Sequence, residues 1–456
     1  MKMVFKLLII SSLLALCLCH YASAEHWEPE RWEKVAANGF GESSNDYAWS
    51  MCTFKGKLYV GTLNTIRGGE IWSSATGRGW KKVYDARSGS IIGIRNLYSE
   101  DDQTLYACTV SSNGADILKT TNGLKWSMVA NETDSRETPA FRCITRFGEY
   151  LYVGAGSGIG AQLYRSKDGS NVSLVKTNPD LKSTKVNDPR TGTVVTNNTM
   201  IGELVVFDNQ LYALTWSREF QYQDIVVRML GCDMSQSRVS SLSSGSPGAF
   251  EVWRSNDGIN WEKVVGKDDP YGNGMGFCLK DPVEGLANDV VTSARVFKGK
   301  LYLGTMNDNA HSSVWSTSDG TNWTKVLDFF DLGEEANYYV WRMIQFQDKL
   351  FIGTMNIGQV TDPGVTGGQI WVSESGDPGT FYPVVHNGFD GETWTDGASI
   401  KIPKNIGIRT FAIFNNSLFA GTATIISAVI PKEDGSNDRR TVAGSNIGCE
   451  IWKMVP

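Results

Sequence analysis

Histidine is almost absent from this chain of 456 residues, which carries four. Three lie beyond residue 24 (His26, His311 and His386), scattered and without the short spacing that zinc or another N-ligated metal requires. Runs of lysine and arginine are also missing. With a formal net charge of −6, this argues against a nucleic-acid partner, which would call for a basic stripe. Beyond residue 24 no stretch is long and apolar enough for a membrane-spanning helix. No phosphate-binding P-loop occurs. Gly154-Ala-Gly-Ser-Gly-Ile-Gly160 has the glycine density of a dinucleotide fingerprint but leads into a strand pattern, not a helix. No Gly-x-Ser-x-Gly segment sits between a strand and a helix, as a nucleophile elbow must.

What remains is the composition of an all-β protein: 48 glycines, 11% aromatic residues and little helical periodicity. The length exceeds that of an ordinary single domain and calls for repeats. The first 24 residues read as a signal peptide. Lys2 and Lys6 precede an apolar run from Leu7 to Leu18, and Ala22-Ser23-Ala24 supplies a cleavage site. The expected mature chain is therefore 25–456, a single secreted or otherwise extracytoplasmic domain. Cleavage leaves Cys52, Cys108, Cys143, Cys232, Cys278 and Cys449. An even number in an exported chain invites disulfides. Cys232–Cys278 is the expected pair, because both lie in long insertions near the same unit. Cys108 and Cys143 read either as disulfide partners or as buried thiols within strands. Asn131, Asn171, Asn197, Asn322 and Asn415 each open an N-glycosylation acceptor pattern.

One segment recurs seven times: Leu58-Tyr-Val-Gly-Thr62, Leu105-Tyr-Ala-Cys-Thr109, Leu151-Tyr-Val-Gly-Ala155, Leu211-Tyr-Ala-Leu-Thr215, Leu301-Tyr-Leu-Gly-Thr305, Leu350-Phe-Ile-Gly-Thr354 and Leu418-Phe-Ala-Gly-Thr422. Each reads as a buried strand. Most follow another apolar strand across a polar turn, as in Phe54-Lys-Gly-Lys57, which is a hairpin signal. A third strand follows, typified by Gly69-Glu-Ile-Trp72 and Cys449-Glu-Ile-Trp452. A fourth reads Trp-x-x-Val, as in Trp261-Glu-Lys-Val264. The seventh unit lacks its fourth strand, and Trp32-Glu-Lys-Val35 at the N-terminus supplies the matching type. The fold class these repeats predict is a seven-bladed β-propeller of four-stranded blades, the last closed by the N-terminal strand.

Between third and fourth strands lie Ser255-Asn-Asp-Gly-Ile-Asn-Trp261, Thr317-Ser-Asp-Gly-Thr-Asn-Trp323, Thr120-Thr-Asn-Gly-Leu-Lys-Trp126 and Ser166-Lys-Asp-Gly169. Asp-Gly and Asn-Gly suit turns that need positive φ. These turns resemble the Asp-box repeats of sialidase-like propellers, one residue shorter between Asp and Trp. The resemblance implies a fold, since in that family the Asp box is a structural turn remote from the active site. It does not carry over sialidase chemistry: Phe141-Arg142-Cys143-Ile144 lacks the proline of that family's arginine motif and lies in the third unit.

The long insertions 216–249, 356–367, 423–448, 177–200 and 266–289 all fall on one face of such a scaffold, and long loops gathered on one face carry binding. The inner strands begin on that face with Trp49, Arg95, Arg142, Arg342 and Arg409, and Trp341 stands beside Arg342. Guanidinium groups fork onto carboxylate, sulfate or phosphate, and tryptophans stack on rings. The alternative is that these arginines pair with acids between units and hold the ring together. Glu203, Asp289, Asp308 and Asp396 are the acids on that face. No cofactor is expected, although Asp and Asn in 268–289 and 433–438 offer oxygen atoms of the kind Ca²⁺ takes. The functional expectation is a binding or scaffold protein taking an anionic glycan or a protein partner on its loop-rich face. A polysaccharide hydrolase or lyase and a purely structural subunit are the alternatives.

Overall fold

The computed structural model describes residues 31–455 apart from 88–89, 112–113, 132–139, 158–159, 189–191, 218–247, 278–287, 308–310, 357–365, 396–400, 425–429, 432–436 and 439–446. The expected signal segment, Cys232, Cys278 and most of the long insertions therefore lie outside the described residues.

Each copy of the recurring segment forms the second strand of an antiparallel hairpin. In the first unit Tyr47–Phe54 pairs with Lys57–Leu63 across Lys55-Gly56, whose φ angles are 46° and 66°. Asp208-Asn209, Lys298-Gly299 and Asn415-Asn416 repeat this pair of positive φ values in later units. Two successive left-handed residues give a turn whose twist matches that of the strands, so a two-residue loop closes the hairpin in register. The second strands are buried along their length because neighbouring units cover both faces. Leu58, Tyr59 and Val60 are all enclosed. The core thus lies between units: Phe54, Tyr59 and Ile71 of the first pack against Ile94, Leu97 and Leu118 of the second.

Adjacent units are also joined through the backbone. Leu63 pairs with Gly93, Val110 with Ala140, Gly156 with Met200, Trp216 with Val290, Met306 with Tyr339, Met355 with Gly407, and Ala423 with Tyr47. Each joint is one residue pair at the end of a strand. Together they close the first and second strands of all seven units into an antiparallel barrel of 14 strands. The all-β class holds, and the seven-bladed propeller is corrected to this closed barrel, with the third and fourth strands of each unit standing outside it. The joints escape the sequence pattern because the repeat reports pairing inside a unit, while each joint is a single contact between residues of no common type.

Outside the barrel a repeated polar unit locks the third strand. Glu70, Glu251 and Glu450 are buried, and each accepts the indole N–H of the tryptophan two residues on: Trp72 at 2.8 Å, Trp253 at 3.2 Å and Trp452 at 3.0 Å. An asparagine ahead of the inner strand donates to the same carboxylate, from Asn45, Asn198 and Asn405 at 2.7, 2.6 and 2.7 Å. A fourth-strand lysine completes the set: Lys82, Lys263 or Lys34, each also lying over the tryptophan ring. A buried carboxylate is tolerable only with this degree of satisfaction. In the seventh unit the lysine comes from the other end of the chain, because Arg31–Ala36 pairs antiparallel with Ile451–Val455.

The four cysteines among the described residues are free thiols. Burial pushes Cys108 up to about 12 and Cys143 well above its ordinary value, so both stay protonated inside their strands. Of the glycosylation acceptors, Asn197 is fully buried, while Asn171, Asn322 and Asn415 are exposed.

Candidate functional site

All seven inner strands carry a β-bulge at the same level. The register skips Trp49, Arg95, Arg142, Gly202, Thr292, Trp341 and Arg409 in turn. A bulge inserts an unpaired residue and re-aims its side chain, which is why bulges collect next to binding sites. Repeated around a closed barrel, it sets a collar of seven positions. Five of the six residues singled out in the sequence stand in that collar. The sixth, Arg342, is one residue further along its strand.

The collar is built by tryptophan–arginine stacking. The Arg142 guanidinium lies 3.9 Å from the centroid of Trp216, Arg409 lies 5.2 Å from Trp341, and Arg95 lies 5.7 Å from Trp49. The glycines explain how the rings fit. A β-carbon on Gly93 would come within 2.3 Å of the Trp49 ring, and one on Gly407 within 2.2 Å of Trp341. On Gly202 it would sit 2.2 Å from the indole nitrogen of Trp216. At that bulge the missing side chain is what admits Trp216, whose N–H donates to the carbonyl of Val291 at 3.2 Å.

Arg95, Arg142 and Arg409 are 3%, 9% and 5% exposed. Among the described residues none of the three has an ion-pair or hydrogen-bond partner, and the Nε atoms of Arg95 and Arg142 are buried without an acceptor. Burial first, then the charge of Arg95, brings Arg142 down to about 9. Burial and the same neighbour hold Arg409 well below the usual arginine range. Arg95 is lowered by burial and by Arg342. Arg295, close to Arg342, is lowered chiefly by burial. Glu203 is the carboxylate that acts on this cluster, and Arg342 claims it at 2.9 Å. The expectation that these arginines serve inter-unit ion pairs thus fits Arg342, while the other three have no ion pair among the described residues.

Above the collar opens a cavity of about 410 Å³, within the size range of small-molecule sites. Arg142, Arg409, Trp49, Trp216 and Trp341 reach it, and its walls are Leu63, Ile92, Val110, Met200 and Met355 with Tyr47 and Tyr339. Most of the wall residues are the same ones that join the units, so barrel closure and cavity share their parts. Beneath, Trp49, Arg95, Arg342 and Arg409 border a space of about 20 Å³, room for roughly one water. The cavity lies at the barrel end where Trp216, Met355 and Ala423 lead into the long insertions.

Other charged groups are committed elsewhere. A neighbouring cavity of about 590 Å³ shares Thr65 and Ile92 with the first, and its charges already pair internally: Arg67 with Glu42 at 2.7 Å, Lys82 with Asp85 at 3.1 Å and Arg87 with Asp85 at 2.8 Å. Asp390, Glu392 and Glu450 gather their oxygens within 4.8 Å, but Lys34 and Lys404 bridge them, so this cluster is a salt-bridge network. Asp269, in the first segment considered for Ca²⁺, accepts backbone N–H groups of Tyr271, Asn273 and Gly274 at 3.0, 3.1 and 2.7 Å, the pattern of a turn. Residues 433–436 of the second lie outside the described residues. Asp289 is buried, and Asp308 and Asp396 lie outside the described residues.

The sequence reading missed Trp216, Tyr47, Tyr339 and Arg295. A signal was present in Gly93-Ile-Arg95 and Gly407-Ile-Arg409, where the glycine seats one tryptophan and the arginine covers it. Trp216 carries no such mark, because its place depends on Gly202 in the partner strand. Compared with known protein families and curated proteins, the chain matches no family model and no curated sequence.

Proposed function

We propose that this is a secreted binding protein that captures an anion-bearing ligand at the insertion-bearing end of its barrel. One observation carries the reading: Arg95, Arg142 and Arg409 are buried, stacked on tryptophans and lack an anionic partner among the described residues. Desolvating a cation without a counter-charge is costly, and like charges held together raise that cost. A ligand anion supplies the missing partner, and guanidinium presents it a planar fork of donors. The hydrolase alternative draws less support, because Glu203, the described acid that acts on the collar, is tied to Arg342 in an ion pair.

The test is titration calorimetry of the purified protein against carboxylated, sulfated and phosphorylated ligands, acidic sugars included, beside the Arg142→Ala/Arg409→Ala double variant. Binding by the parent and its loss in the variant are expected. Silence across the panel, or undiminished binding by the variant, overturns the reading.

A further inference from the structure

The cavity has two chemically distinct halves. Its floor offers cationic donors, with Arg142 and Arg409 reaching it from the collar. Its walls are mainly apolar, Leu63, Ile92, Val110, Met200 and Met355, with Tyr47, Tyr339 and Thr65 among them. Between them stand the faces of Trp216 and Trp341, each already covered on one side by an arginine.

Such a lining discriminates among anions. A sugar acid brings a ring of hydroxyls, each needing a partner once buried; Tyr47, Tyr339 and Thr65 are the hydroxyl-bearing residues of the lining, and the aliphatic and thioether side chains that make up the rest of the wall supply none. Inorganic sulfate or phosphate would leave the apolar wall in contact with water. An organic acid with a flat hydrocarbon body satisfies both halves, because its charged end reaches the arginines while its body replaces water against methionine, leucine and indole.

Resting on the anion-binding reading above, we infer that the ligand is a small apolar organic acid, an aromatic or unsaturated carboxylate, held head-down with its carboxylate on Arg142 and Arg409 and its body against Trp216, Trp341, Met200 and Met355. The single negative charge orients the molecule and the wall selects its class. Binding changes the surroundings of several indoles at once, so tryptophan fluorescence reports it.

The experiment uses the full mature chain and four probes: 2-naphthoate, its uncharged counterpart 2-naphthalenemethanol, D-galacturonate and sulfate. Calorimetry and tryptophan fluorescence are read together. The expected result is 2-naphthoate binding at least about tenfold more tightly than each of the other three. Arg142→Met is expected to weaken 2-naphthoate by about tenfold or more and to leave 2-naphthalenemethanol unchanged. Met200→Glu, which puts a carboxylate on the cavity wall, is expected to exclude 2-naphthoate. It keeps the test decisive should Arg142→Met fail to fold. D-galacturonate or sulfate binding as well as or better than 2-naphthoate overturns the ligand class and leaves the anion-binding reading in place. Equal binding of 2-naphthoate and 2-naphthalenemethanol overturns the head-down orientation. Silence with all four probes overturns the apolar-acid inference, and silence across the wider panel above as well overturns both readings.

Discussion

The hydroxyl of Tyr212 occupies the space a β-carbon on Gly320 would need; the two would lie 2.1 Å apart. Tyr212 belongs to the recurring strand segment of the fourth unit and Gly320 to the Asp-Gly turn of the fifth. The same contact joins Tyr59 to Gly123, Tyr106 to Gly169, Tyr152 to Gly258 and Tyr302 to Gly376. Two features repeated in the sequence, the Leu-Tyr strand and the glycine turn before the fourth strand, therefore meet across five of the seven unit boundaries. The glycine is required twice over, for its φ of 75° and for the tyrosine above it.

Gly320→Ala is accordingly expected to cost about 2–4 kcal/mol, combining left-handed strain with a steric conflict. Adding Tyr212→Phe removes the nearest atom and leaves the ring carbon at 3.1 Å, so the double variant should recover part of the loss. Urea denaturation of the four proteins in this cycle measures it. Strict additivity would show that the two residues do not press on each other.

Replacing an unpaired buried cation with an apolar side chain of similar length should not destabilise the free protein. Arg142→Met gives up the stacking on Trp216 but also the desolvation cost, for a net change between about 0 and 2 kcal/mol in favour of folding. A melting temperature at or above the parent's, measured without ligand, is the expected outcome. A drop of several degrees would mean that Arg142 is a structural pillar of the collar.

Asp257 shapes its turn by accepting the backbone N–H groups of Ile259 and Asn260 at 2.8 and 2.7 Å, and these bonds hold its carboxyl down at about 2. Its folded value lies below the ordinary 3.8, so the stabilisation is complete above pH 4 and fades as pH falls through about 2. Asn122 makes the same two bonds in the second unit, to Leu124 and Lys125 at 2.9 Å. Asp257→Asn should therefore match the parent at pH 7 and flatten its acid limb between pH 4 and 2. Acid titration of unfolding by circular dichroism compares the two curves.

Outside the barrel, the seventh unit is completed by a strand from each chain end, and Glu450 is the fixed point of that pairing. It is buried, with Lys34 and Lys404 each at 2.8 Å. Removing it leaves Trp452 and Asn405 without their buried acceptor, while Lys34 keeps Asp390 and Lys404 keeps Glu392, so Glu450→Ala is expected to lose about 1–3 kcal/mol. It should also raise hydrogen exchange in 31–36 before other strands. Glu450→Gln should lose less, since Gln369 fills the equivalent place in the sixth unit and accepts from Trp371 at 2.8 Å.

Strand order and hairpin register were legible in the sequence for a plain reason. Leu-Tyr-Val-Gly-Thr is buried on both faces, and turns such as Lys55-Gly56 and Asp208-Asn209 lie two residues apart from such runs, so local chemistry dictates them. The acceptance of indole N–H by Glu70, Glu251 and Glu450 was written there too, as Glu-x-Trp. Arg142, Arg409, Trp49 and Trp341 stood out by position and type.

Tertiary structure alone decided how the units join and what the arginines face. Leu63–Gly93 and its six counterparts are single contacts between unlike residues, and no local rule announces them. The collar depends on seven bulges, which the hydrophobic pattern of one strand does not reveal because a bulge is defined by the register of two. Whether a buried arginine has a partner is likewise a question of distance in three dimensions. The sequence placed cations and indoles on the loop-bearing face of the repeats; only the folded chain decided that Glu203 pairs with Arg342 while, among the described residues, Arg95, Arg142 and Arg409 have no ion-pair partner.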